Sequence, residues 1–322
     1  VKRLATVCLF SILSACTHAE AHDTAPPTPP ASEAPADEPP AGLGQRDDAA
    51  TLGPYEQGRP LELRAHKSAE YSASVNSWLL EGKSEIGLVD AQMLVPEAEA
   101  LVELLRTRNK TLAWVWVTHA HPDHYAGLQV IADAFPGVPL LAHPHTAAKA
   151  PELRAKFDAP LQKFFPGELA PAAPLTPFAG DRLQVDGVDV EILVFEGGEH
   201  ELTTALFVRS QGAMLIADLV YNHVHPWLNE LDVDTLLTHV DTLAAMPDVT
   251  TFYPGHGEPF GKEFLPVYAT YVHDFLQELE QATDSKDLVT RTWRRYRDWR
   301  TLAGLRFSAT AHIDARNAAT AE

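Results

Sequence analysis

The sequence predicts an α/β protein layered as an αββα four-layer sandwich, two sheets face to face with helices outside. Two observations lead there. Short apolar runs in two groups alternate with segments of helical spacing between residues 61 and 282. The residues able to carry chemistry stand just after those runs, at strand exits. With 322 residues and 45% hydrophobic content the chain can bury one large core.

The elements follow in order. Ser74–Leu80 and Glu85–Val89 read as strands joined by the turn Glu81-Gly82-Lys83-Ser84. Pro96–Arg108 reads as a helix, with Pro96 at its start and Leu101, Leu104 and Leu105 at helical spacing. Leu112–Val117 is an apolar run that reads as a buried strand. A helix is expected from near Pro122 through Tyr125 to Phe135, since proline suits a first helical turn. Val138–Ala142 reads as another strand. The five prolines between Pro160 and Phe178 predict an irregular excursion. Asp186-Gly187 and Gln211-Gly212 mark hairpins between apolar runs. Val233–Met246 and Phe264–Ala282 read as helices, with a short strand Val249–Phe252 between them. Residues 283–322 are expected to form a C-terminal helical extension. Its Arg291, Arg294, Arg295, Arg297 and Arg300 interleave with Trp293, Tyr296 and Trp299. This pattern fits a helix that packs its aromatics on the domain and pairs its arginines with an acidic surface. A site for an anionic substrate or partner is the sharper alternative.

The densest chemistry lies in Thr118-His119-Ala120-His121-Pro122-Asp123-His124, a His-x-His-x-Asp-His pattern directly behind the buried strand. In extended chain, side chains two apart point the same way, so His119 and His121 share one side. Asp123 and His124 leave from the first helical turn. The segment can offer two imidazoles to one metal and a carboxylate with an imidazole to a second. Neutral imidazole and carboxylate suit Zn²⁺ or Fe²⁺. A polar loop without metal would leave many buried polar atoms in need of partners.

This pattern resembles the signature of the metallo-β-lactamase fold superfamily, which includes glyoxalase II, lactonases, RNase Z and the lactamases. The resemblance covers roughly residues 61 to 282. It asks for a third histidine after a later strand, an aspartate at a strand end and a last histidine near the end of the fold. His200 in Gly197-Gly198-Glu199-His200, Asp218 after Ala213–Ala217, and His256 in Pro254-Gly255-His256-Gly257 answer in that order. The resemblance implies that His119, His121 and His200 form one metal site, that Asp123, His124 and His256 form the other, and that Asp218 bridges them. Asp90 looks like the family's outer carboxylate, which orients ligand histidines. The family often has Asp-x-Gly there, whereas this chain has Asp90-Ala91-Gln92.

The implied cofactors are two divalent metal ions, most readily Zn²⁺, with Fe or Mn as alternatives. The implied activity is hydrolysis of an ester, lactone, thioester or amide carbonyl by a metal-bridging hydroxide. Asp123 would orient the nucleophile and shuttle its proton. No Gly-x-Ser-x-Gly elbow supplies a protein nucleophile. An aspartate at position 218 points to the glyoxalase and lactonase side rather than to β-lactamases. Tyr221, three residues on, resembles the lactonase tyrosine that contacts the substrate carbonyl. His223 and His225 in the same loop, and His143 and His145 after an earlier strand, are read as structural or exposed. A β-lactamase, a mononuclear-iron sulfur dioxygenase and a noncatalytic metal-binding protein remain alternatives.

A formal charge of −19 repels nucleic acid and leaves a small-molecule substrate as the expected partner, with oligomeric state open. Lys2 and Arg3, the apolar run Leu4–Leu13 and Leu13-Ser14-Ala15-Cys16 describe a lipoprotein-type signal peptide over residues 1–15. Its run is too short to span a bilayer. Residues 16–60, rich in Pro, Ala, Asp and Glu, read as a disordered tether. The protein is thus expected to be exported and lipid-anchored at Cys16, with its globular domain in the periplasm. The only cysteines are Cys8 and Cys16, so the globular part holds no disulfide and no thiolate ligand. Cys16→Ser is expected to release the protein from the membrane fraction or to stop its processing. Unchanged fractionation and mass would contradict the lipid anchor.

Overall fold

The computed structural model describes residues 61–320 and the backbone of Ala50–Thr51. The signal segment, Cys16 and nearly all of the tether lie outside the described residues.

The first sheet begins with β1 (Ala50–Thr51), β2 (Glu62–Lys67), β3 (Asn76–Glu81) and β4 (Glu85–Val89). It continues with β5 (Thr111–Val117), β6 (Leu140–Ala142) and β7 (Thr176–Pro177), and its strand order follows the chain. Pairing is antiparallel from β1 to β4 and parallel from β4 to β7. The second sheet has β8 (Arg182–Val185), β9 (Val188–Glu196), β10 (Leu202–Val208), β11 (Ala213–Ala217) and β12 (Thr251–Pro254), in the order β12-β11-β10-β9-β8. Both expected hairpins form, β8–β9 across Asp186-Gly187 and β10–β11 across Gln211-Gly212. Ala50–Thr51, placed in the tether by composition, pairs with Lys67 and His66 as a short edge strand.

The inner strands are buried on both faces, which explains their unbroken apolar runs. On β5, Trp114 and Trp116 face the second sheet, while Val115 and Val117 face the helices outside. On β11, Ala213 and Leu215 face inward, while Met214 and Ile216 face the opposite helical layer. The Trp116 indole donates to Thr204 Oγ1 at 2.9 Å, and that hydroxyl donates to the Thr118 carbonyl at 2.8 Å. The two sheets are therefore tied together just behind the histidine segment.

The helices over the first sheet are α1 (Val95–Arg108), α2 (Pro122–Tyr125), α3 (Leu128–Ala134) and α4 (Pro144–Phe164). Two expectations need correction. The helix from Pro122 breaks at Ala126-Gly127, because tertiary hydrogen bonds compete with its continuation. The Ala91 N–H donates to the His124 carbonyl at 2.7 Å, and the Gly127 N–H donates to the Gln92 carbonyl at 2.9 Å. The proline-rich excursion starts later than expected, because α4 runs through Pro151 and Pro160. Its buried face of Thr146, Ala150 and Leu153, with Arg154 donating to the Ala126 and Ala170 carbonyls, overrides the cost of the prolines.

The second sheet is covered by α5 (Val233–Ala245), α6 (Leu265–Gln281), α7 (Ser285–Arg295) and α8 (Leu302–Thr320). The C-terminal extension shares a core with the domain. Leu288, Leu305, Ala309 and Ile313 pack in one cluster with Phe252, Tyr268 and Phe275. Two arginines of the cluster are tied to acidic side chains: Arg291 pairs with Glu278 and Asp287, and Arg295 with Asp274 and Glu278. Trp299 stacks on Tyr271 at 4.4 Å. Among the described residues no helix is long and apolar enough to cross a membrane.

One buried ion cluster ties β3 to the turn between α1 and β5. The Glu81 carboxylate meets Arg64 Nε at 3.0 Å, Arg108 Nε at 2.9 Å and Lys110 Nζ at 3.0 Å. Burial pushes the Glu81 carboxyl up, but Lys110 and Arg108 together outweigh it and hold it below the ordinary glutamate range. A carboxylate lowered on folding stabilises fully above its unfolded pKa and loses that effect as pH falls through the folded value. Glu81→Ala is expected to cost about 2–4 kcal/mol in urea unfolding at pH 7. The difference from the parent should shrink below about pH 4.

Candidate metal centre

Five chain segments converge at one edge of the sandwich. The exit of β5 carries His119 and His121, and α2 carries Asp123 and His124. The β9–β10 turn carries Glu199 and His200, the exit of β11 carries Asp218, and the exit of β12 carries His256. Ala217 lies at φ 46°, in the left-handed region, and this turn swings Asp218 off the strand line.

The ligand-type atoms fall into two groups, each within 4.8 Å: His119, His121, Glu199 and Asp218; and Asp123, His124 and His256. In the first, His119 Nε2 and His121 Nδ1 stand 3.1 Å apart. In the second, His256 Nε2 is 3.3 Å and His124 Nε2 3.6 Å from Asp123 Oδ2. Asp218 stands between the groups. Its Oδ1 is 3.3 Å from His124 Nε2, while its Oδ2 is 3.3 Å from His256 Nε2 and 3.9 Å from His119 Nε2.

The imidazoles are aimed from behind. His124 Nδ1 donates to Asp90 Oδ2 at 2.8 Å, and His256 Nδ1 donates to the Ala73 carbonyl at 2.9 Å. Both therefore turn Nε2 toward the centre. The Thr118 hydroxyl reaches both Asp90 oxygens, at 3.1 and 3.0 Å, and accepts from His119 Nδ1 at 3.0 Å. Asp90 thus orients one imidazole of each group. Gln92, where the resembled family often has glycine, sits at φ 69°. Its amide donates to Ser77 Oγ at 2.8 Å and reaches the His66 and Val75 carbonyls, which offsets the left-handed strain.

The electrostatics call for cations. Burial alone pushes His124 down, but Asp218, Asp123 and Asp90 outweigh it and hold it well above the usual histidine value. His256 is raised to about 10 against the same burial, mainly by Asp218, and His121 to about 9, mainly by Glu199. Burial lifts the Glu199 carboxyl to about 7. His124 Nε2, Glu199 Oε2 and Asp218 Oδ1 are buried with no hydrogen-bond partner. Buried carboxylates gathered with imidazole nitrogens in this way fit divalent cations. The space is tight as well. A methyl on Gly255 would fall 2.1 Å from Asp218 Oδ1 and 3.0 Å from His124 Cε1, so only glycine fits there.

Of the residues expected from sequence, His119, His121, Asp123, His124, Asp218 and His256 come together. His200 does not join the first group. Its Nδ1 lies at the Leu202 backbone, 3.3 Å from the carbonyl, and its ring packs edge-on against His121 at 4.6 Å. The Glu199 carboxylate stands in that group. Sequence reasoning passed over Glu199 because the next residue offers a ligand-type side chain as well, and both are buried. Gly197 and Gly198, at φ 78° and 83°, let the turn present either neighbour. Their doubling before two ligand-type residues was the available signal. Tyr221 lies in the centre, its hydroxyl donating to Asp218 Oδ2 at 2.5 Å and standing 3.2 Å from Glu199 Oε1. His225 bonds Tyr271 and His223 bonds Asn222, away from both groups. His143 caps α4, and His145 faces Glu201.

The metallo-beta-lactamase superfamily model matches residues 73–273. Hydroxyacylglutathione hydrolases of Ruegeria pomeroyi and Roseobacter denitrificans are each 30% identical, over 170 and 162 residues, or 52% and 50% of this chain. The matched stretches are 56% and 55% of those proteins, so the chain spans about half the length of these curated relatives. A beta-lactamase domain protein from Burkholderia ambifaria shares the fold at a TM-score of 0.63 and 18% identity, over 83% of this chain and 89% of that one.

Asp90→Asn keeps the side chain's shape and tolerates the left-handed backbone. Its amide nitrogen would face His124 Nδ1 and favour the tautomer that protonates Nε2. Metal affinity is expected to fall by about 10- to 100-fold, measured against a chromophoric chelator. Unchanged affinity would mean that His124 is aimed by other contacts.

Proposed function

We propose that this chain, which belongs to the metallo-beta-lactamase superfamily, is a two-metal hydrolase of activated carbonyl compounds: esters, lactones or thioesters. One observation carries the reading. A single carboxylate, Asp218, faces both ligand groups, Oδ1 toward His124 and Oδ2 toward His256 and His119. That arrangement suits two cations held side by side. The likeness to proteins named as hydroxyacylglutathione hydrolases supports a thioester or ester among the candidate substrates.

Bound divalent cations would supply polarisation of a substrate carbonyl and acidification of a water molecule. The chain's residues supply the rest. His119, His121, Asp218 and Glu199 would hold the first ion; Asp123, His124, His256 and Asp218 the second. Asp123 is the most exposed of the three carboxylates, with a side chain 20% accessible, and its carboxylate would orient a water and take its proton. Tyr221 stays protonated, because burial and then Asp218 and Glu199 raise its hydroxyl well above the usual value. It is a donor that can turn from Asp218 to a carbonyl oxygen as negative charge builds there. Trp227, 5.8 Å from the His121 ring and 5.5 Å from the exposed Phe307, offers an apolar flank for the remainder of a substrate.

A second reading is a single-iron oxygenase. It draws on the first group alone, whose two imidazoles and two carboxylates suit iron. Elemental analysis separates the two: two ions per chain for the hydrolase, one iron with oxygen consumption for the oxygenase. Export and anchoring through Cys16 are part of the proposal.

Assay on a panel of lactones, thioesters and β-lactams should reveal hydrolysis that is lost on chelation and restored by added metal. Tyr221→Phe should then lower turnover on the best substrate by roughly 10- to 1000-fold with metal content unchanged. Full activity of the variant on every accepted substrate would reduce Tyr221 to packing.

A further inference from the structure

We propose that Glu199, and not His200, is the third protein ligand of the first metal position, which is therefore built from two imidazoles and two carboxylates. The inference rests on the two-metal reading and concerns only which side chains hold the first ion.

Geometry is the first support. Glu199 Oε1 stands 3.0 Å from His121 Nδ1 and Oε2 stands 3.8 Å from His119 Nε2, the two nitrogens that face each other at 3.1 Å. Ligands about 2.05 Å from a tetrahedral zinc lie about 3.3 Å from one another. The three side chains already keep such spacings. Glu199 is fully buried, and its Oε2 has no hydrogen-bond partner.

The turn supplies independent support. The Gly198 N–H donates to Asp232 Oδ2 at 2.9 Å, and the Gly197 N–H donates to the Glu201 carbonyl at 3.0 Å. A methyl on Gly197 would fall 2.7 Å from Asp232 Oδ2, and one on Gly198 would fall 3.2 Å from Leu236 backbone. The turn is thus pinned against the start of α5, which fixes its phase with Glu199 inward. His200 is buried as well, beside the His121 ring, but it is not among the ligand-type atoms that gather within 4.8 Å of one another. His200 is itself held at Leu202.

The exchange changes the chemistry of the centre. With Asp123 and Asp218 it makes three carboxylates around two dications instead of two. More oxygen and more negative charge favour oxygen-preferring ions such as Mn²⁺ or Fe²⁺ relative to a three-histidine position.

The test uses the full chain and reads metal content, with Glu199→Gln, Glu199→Ala and His200→Ala compared with the parent. Each is loaded with Zn²⁺, and in parallel with Co²⁺, whose visible spectrum reports its ligands. Both Glu199 variants should lose one of two ions and alter the cobalt spectrum, while His200→Ala keeps both ions and the parent spectrum. Far-UV circular dichroism in chelator, where all chains are metal-free, identifies a variant that fails to fold; the near-isosteric Glu199→Gln then carries the comparison. Retention of both ions by Glu199→Gln overturns the inference and leaves the two-metal reading intact. So does equal loss in His200→Ala. A parent that binds no divalent ion removes both.

Discussion

The centre is organised by negative charge that the fold buries. Asp218 is almost fully enclosed, and Glu199 is enclosed with it. A carboxylate removed from water at that depth needs a positive counterpart. Without metal, His121, His124 and His256 are drawn toward the protonated form by these carboxylates. Divalent cations would meet the same demand and leave the imidazoles neutral, as ligands must be. Such binding would link metal occupancy to the stability of this edge.

The sandwich makes that burial possible. Strands packed on both faces cannot shift to relieve charge at their ends, and the Trp116–Thr204–Thr118 chain locks one sheet to the other behind the site. The cost appears in the backbone. Asp90, Gln92 and Ala217 all occupy the left-handed region close to the centre, each at a strand exit or just beyond it. Such strain survives only where surrounding contacts over-determine it. At Gln92 three acceptors do so, which shows how a position often filled by glycine in the resembled family tolerates a side chain here.

The proposed exchange of an imidazole for a carboxylate in the first group would bear on function through charge. A lower net positive charge would make a weaker electrophile of the centre and hold the cations more firmly. The Tyr221 hydroxyl, placed between Asp218 and Glu199, is a donor positioned for that excess of negative oxygen.

The sequence by itself determined the layered fold and most of the residues that cluster at its edge. Buried strands write themselves as continuous apolar runs, and a His-x-His-x-Asp-His segment behind one of them is a local pattern with a fixed geometric meaning. Asp218 and His256 were legible because each follows a short apolar run directly. Three things were decided only by tertiary structure. The end of the helix after Pro122 depends on hydrogen bonds to Ala91 and Gln92, some thirty residues away in sequence. The integration of residues 283–322 into the domain depends on a core shared with Phe252 and Tyr268. The placement of Glu199 beside His119 and His121 depends on how a glycine turn docks on Asp232 and α5. Period and composition cannot encode such a choice, because both neighbours are ligand-type residues and only a distant contact sets the phase between them.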